Sequence, residues 1–84
     1  VDLWEKAAQV ASKEDLGTFL SAAAEDLKGN PGSWENADLV SFLEAMSAWV
    51  EDSAAWYRRS GRPEPSAEAW TTVANAVMAA SVYE

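Results

Sequence analysis

The apolar residues of this chain recur three and four apart and nowhere alternate. Leu16, Phe19, Leu20, Ala23 and Leu27 stand at i, i+3, i+4, i+7 and i+11, which at about 100° per residue is one stripe along one helix. Leu39, Phe42, Leu43, Met46, Val50 and Tyr57 make a second stripe, with Trp49 and Trp56 on its flank. Trp70, Val73, Ala74, Val77 and Ser81 make a third, widened by Met78 and Ala80. No segment carries the period of two that a half-buried strand needs. The pattern predicts an all-α fold: a compact bundle of three to four amphipathic helices in a single domain over residues 1–84.

Caps and breakers set the expected boundaries. Leu3, Ala7 and Val10, beside Trp4 and Ala11, predict a short first helix of about ten residues. Ser12 is placed to cap a second helix over 13–28, with Asp15 at the third position, where a carboxylate suits the positive helix end. Gly17 inside that helix is costly and suggests close helix contact. Gly29-Asn30 end it, and Asn30-Pro31 reads as a cap and a first-position proline opening one short turn to about Glu35. Asn36 is then the expected cap of a third helix over 37–57, with Asp38 near its start. Arg58 to Ser66, "RRSGRPEPS", is the longest break, because Gly61, Pro63 and Pro65 exclude regular helix. Ser66 caps a fourth helix over 67–82, which has no glycine stop before Tyr83-Glu84. In the loop "GNPGSWENADL" most side chains are too small or too polar to fix it. Trp34 is expected to be its anchor, ring packed and indole N–H bonded. Tyr83 is expected to tether the chain's end to helix 2 or 3, with Glu84 solvated.

A chain of 84 residues buries a modest fraction of its surface and commonly needs a staple. There is no Cys and no His, so neither a disulfide framework nor a Cys/His zinc site is open to it. Packing or self-association must serve, and five tryptophans suit the first. Trp34, Trp49 and Trp70 are read as core; a homo-oligomer stays open.

The residue inventory argues against an enzyme. Ser–His and Cys–His nucleophile systems are absent. The neighbouring carboxylates Glu25-Asp26 and Glu51-Asp52 point about 100° apart on a helix and read as solvated faces. "GNPG" lacks the Lys-Ser/Thr of a phosphate loop, and no acidic spacing matches a calcium loop. No catalytic residue, cofactor or metal is expected. The formal net charge of −8, with a pI near 4.3, disfavours nucleic acid and anionic membrane, both of which call for clustered Lys and Arg. No apolar run approaches the ~20 residues of a membrane span. No basic segment leads into an apolar stretch as in a signal peptide, and a cytoplasmic location is expected.

What remains is binding. Trp56 stands beside Tyr57 and Arg58-Arg59, the composition of interface hot spots; the plainer alternative is an edge tryptophan with Arg58 stacked on a ring. Glu35 and Asp38, flanking Asn36, form the other candidate group, for which helix capping is the plainer account. The expectation is a small acidic protein-interaction domain, with an immunity or antitoxin-like binder of a basic protein as its concrete form. The alternative is a small-molecule or regulatory module with a Trp-lined pocket.

The run W-E-N-x-x-L-x-x-F-L-E-A, carried by Trp34, Glu35, Asn36, Leu39, Phe42, Leu43, Glu44 and Ala45, resembles a bacterial family of short uncharacterised proteins. Asp26-Leu27, Asn30-Pro31, Trp49, Tyr57 and the closing Ala80-Ser81-Val82-Tyr83-Glu84 fit the same pattern, over about residues 12–84. Gly32-Ser33 departs from it where acidic or polar residues are usual, which should loosen the loop. The resemblance implies helix boundaries and a helical fold, and no activity.

Overall fold

Four α-helices and one 3-10 turn carry the chain, with no strand among the described residues, so the fold is all-α. The structure, a computed structural model, describes residues 2–83. The elements are α1 (Leu3–Ala8), α2 (Lys13–Gly29), a 3-10 turn (Pro31–Ser33), α3 (Leu39–Ser60) and α4 (Ala67–Ala80). Residues group into two compact units, Val1–Met46 and Ser47–Glu84.

In the first unit α1 and the 3-10 turn both pack against α2. Asp2 caps α1, its Oδ1 accepting from the Glu5 N–H at 2.8 Å. The helix stops at Ala8, short of Val10, because Ser12 must be extended (φ −152°, ψ 168°) to cap the next helix. That cap is reciprocal. Ser12 Oγ accepts from the Asp15 N–H at 3.0 Å, and Asp15 Oδ2 accepts from the Ala11 N–H at 3.1 Å, so two amide donors are satisfied by one pair of side chains. α2 then presents Phe19, Ala23 and Leu27 half-buried. Gly17 makes no close helix contact: a Cβ there would meet nothing within 4 Å.

Asn30 ends α2 with its N–H on the Asp26 carbonyl at 2.7 Å, and Pro31 opens the 3-10 turn. The turn closes at Ser33 rather than Glu35. The cap of α3 is Asp38 and not Asn36, and the helix begins at Leu39 rather than residue 37. Asp38 Oδ1 accepts from the Ser41 N–H at 2.8 Å. A carboxylate makes the stronger bond to an orphan amide at a positive helix end, so it takes the cap over the neutral amide two residues earlier.

α3 runs to Ser60, three residues past its expected end. Arg58 and Arg59 are good helix formers whose charge suits the negative end of the helix. Gly61 then stops it at φ +70°. The Gly61 N–H reaches the Arg58 carbonyl at 3.2 Å and the Arg62 N–H reaches the Tyr57 carbonyl at 3.0 Å, the two-bond Schellman closure that a left-handed glycine permits. In the second unit α4 starts as expected, Ser66 Oγ accepting from the Ala69 N–H at 3.2 Å. It ends at Ala80, before 82. The last bonds tighten to three-residue spacing, Ser81 N–H to Met78 and Val82 N–H to Ala79, and Ser81 Oγ also donates to the Met78 carbonyl. Competition of this kind unwinds a terminal turn.

Two aromatic side chains expected to be packed are exposed instead. Tyr83 is 86% exposed; once the helix has unwound at Ser81, nothing holds its ring on helix 2 or 3. Glu84 lies outside the described residues. Trp49 is 45% exposed and is a surface aromatic rather than a core one, whereas Trp34 and Trp70 are half-buried. Among the described residues no apolar side chain is fully buried; the one buried residue is Ser53, at 3% exposure.

Candidate functional site

The second half of α3 gathers three rings. Trp49 and Trp56 lie seven residues apart, two helical turns, which puts them on one side. Their centroids are 5.8 Å apart, edge to face. Tyr57 closes on Trp56 at 4.9 Å with the planes at 89°, and on Trp49 at 6.3 Å. Each pair has the tilted geometry that the ring quadrupole favours, worth about 0.5–1.5 kcal/mol beyond burial. Ser53 stands four residues after Trp49, three before Trp56 and four before Tyr57, at the centre of the face those rings occupy. Its hydroxyl is satisfied within the helix, donating to the Val50 carbonyl at 2.8 Å.

The Schellman closure turns the chain back over this cluster. It brings the Arg62 guanidinium to 5.7 Å from the Trp56 centroid, a cation–π distance. Arg62, and not Arg58, is therefore the arginine on the ring. Arg58 and Arg59 are exposed on the last turn of α3, beside half-buried Trp56 and Tyr57. Four expected contact residues, Trp56, Tyr57, Arg58 and Arg59, thus share one helix end, and Ser53 and Arg62 join them. The signal for Ser53 was present as W-x-x-x-S-x-x-W-Y. That for Arg62 was the glycine one residue before it.

Glu35 and Asp38 belong to the first unit, not to this cluster. Asp38 is occupied as the helix cap. The Ser41 backbone N–H, then its hydroxyl, hold the Asp38 carboxyl below its ordinary value. Glu35 is exposed in the bend before it. Between them and α2, Trp34 is bonded as well as packed: its indole Nε1–H donates to Asp26 Oδ2 at 2.8 Å, and its ring lies 6.5 Å from Phe42. Trp34 is thus the loop's attachment, with Asp26 as the acceptor. Trp34, Asp38 and Phe42 line an open groove of about 290 Å³ with Ala23, Leu27 and Leu39.

Charge divides unevenly between the units. The first has nine carboxylates against three lysines, net −6; the second has five against three arginines, net −2. Every lysine lies in the first and every arginine in the second. Among the described residues the one salt bridge is Lys28 to Glu25 at 3.5 Å, exposed and one turn apart, of the kind that contributes little. No described helix is long and apolar enough to cross a membrane.

No curated protein and no solved structure matches the chain. One family model does, over residues 12–84, from the Ser12 cap through α4 to the end. The chain belongs to that family, DUF7660, a family of unknown function.

Proposed function

We propose that this protein is a small acidic interaction domain that binds a basic protein, without catalysis, in the bacterial cytoplasm. The carrying observation is that the first unit combines a net charge of −6 with apolar side chains left in the open, Leu39 at 71% and Val40 at 67% exposure. Acidic charge attracts and orients a basic partner, and exposed apolar groups supply the contact energy once it arrives. An immunity or antitoxin-like role, masking a basic toxin, is the concrete form. The aromatic and arginine cluster at the end of α3 has hot-spot composition and supplies a second contact region, Trp56, Tyr57, Arg58 and Arg59. Glu35 and Asp38 add to the acidic one.

The test is capture from source-cell extract on the immobilised full chain, eluted with rising salt and identified by mass spectrometry. The expected result is a basic protein released as salt rises. Retention of acidic proteins alone, or release indifferent to salt, would overturn the proposal.

A further inference from the structure

The groove of the first unit carries a more specific statement about the partner. Its floor is apolar: Ala23 and Leu27 from α2, Trp34 from the loop, Leu39 and Phe42 from the first turn of α3. Its volume of about 290 Å³ is at the lower edge of the roughly 300–1,000 Å³ of small-molecule sites, and it is open along one side where those sites enclose their ligand. An open apolar trough beside helices is the geometry that accepts the apolar face of another helix. Leu39, 71% exposed, extends the floor outward, so an occupant gains contact beyond the trough.

Carboxylates stand beside this floor. Asp38 lines the groove, Asp26 accepts from the Trp34 indole N–H, and Glu35 lies next to Trp34 in the chain. None of the three has a Lys or Arg within 4 Å among the described residues. An apolar floor beside carboxylates that no Lys or Arg neutralises disfavours an acidic helix and a second copy of this −8 chain, since like charges would meet across the contact. It matches a helix with a leucine-type stripe flanked by lysine or arginine.

We infer that the Trp34 groove is the docking site for a basic amphipathic helix of the partner protein, its apolar stripe seated on Leu27, Trp34, Leu39 and Phe42 and its cations facing Glu35 and Asp38. This rests on the acidic-binder reading above and names where that binder holds its partner and by what chemistry.

The probe is a synthetic amphipathic helical peptide of leucine and lysine, titrated into the isotope-labelled full chain while amide and indole signals are followed. Oligolysine and a leucine–glutamate peptide are run beside it. The expected result is saturable binding of the leucine–lysine peptide that moves the Trp34 indole signal and the Leu27 and Phe42 amides. Oligolysine should be weaker by about tenfold or more, the value of seating one large apolar side chain. Leu39→Glu should weaken the leucine–lysine peptide by about tenfold although it adds a negative charge; this position is exposed and in a first helical turn, where an acid is tolerated. Glu35→Gln with Asp38→Asn, which preserves a capping side chain, should weaken the same peptide several-fold and flatten its salt dependence. Equal binding of oligolysine, unchanged affinity in Leu39→Glu, or signals that move at Trp56 and Arg62 instead would overturn the groove assignment and leave the acidic-binder reading standing. Absence of binding by any basic probe would overturn both.

Discussion

At the residue scale the structure turns on which of several competent side chains takes each local task. Asn36 and Asp38 can both cap a helix, and Asp38 does. Asp38→Ala should therefore lower the denaturant midpoint, while Asn36→Ala should leave it nearly unchanged. Asp38→Asn should be close to neutral at pH 7, because asparagine caps nearly as well. Acid separates the two. The Asp38 carboxyl titrates lower in the folded chain than unfolded, so its contribution is complete well above the ordinary carboxylate pKa of about 3.9 and is lost as pH falls through the lowered folded value. Melting curves should show any advantage of wild type over Asp38→Asn shrinking in that window. Trp34 makes two contributions that can be parted. Trp34→Phe keeps a ring against Phe42 and drops the bond to Asp26, for about 1 kcal/mol; Trp34→Ala loses both, for about 2–3 kcal/mol. Equal losses from the two would mean that the ring contributes nothing.

At the element scale, helices were legible in the sequence and their ends less so. The 3–4 spacing of Leu16, Phe19, Leu20, Ala23 and Leu27 depends on one element alone, and α2 lies within a residue of its expected bounds. Ser12 and Ser66 were readable caps because each has no rival nearby. The start of α3 is ambiguous in sequence because two rival caps stand two residues apart. The end of α4 is hidden because Ser81 unwinds the last turn through its own hydroxyl, which no glycine or proline announces. Of the site, the Trp56, Tyr57 and arginine composition was visible, but Arg62 over Trp56 depends on a turn geometry and Ser53 on three rings meeting above one position. Gly61 is the hinge of that geometry. Its φ of +70° suits glycine, and a Cβ there would meet nothing within 4 Å, so Gly61→Ala isolates backbone strain. It should cost about 1 kcal/mol and lift Arg62 from Trp56, which near-ultraviolet circular dichroism and tryptophan fluorescence would report. A stability loss with unchanged aromatic spectra would mean that Arg62 holds its place without the turn.

At the scale of the whole molecule the governing quantity is charge, and its distribution matters more than its total. The first unit holds a net −6 and no arginine; the second holds every arginine, all within five residues, beside the aromatic cluster. On the proposed reading a basic partner is drawn to the first, and the arginines and rings of the second suit a region that accepts arginine and offers apolar or aromatic contact. Charge can be altered without touching caps or packed rings. Glu14, Glu35 and Glu44 are exposed and make no side-chain hydrogen bond or salt bridge among the described residues. Replacing the three by glutamine takes the net charge from −8 to −5 and should leave the melting temperature nearly unchanged. The most direct measurement is a side-by-side capture from source-cell extract at low salt, wild type against this triple variant. Electrostatic binding predicts that wild type retains a basic protein and that the triple variant retains several-fold less of it. Equal recovery by the two, or no basic protein retained by wild type, would contradict the account.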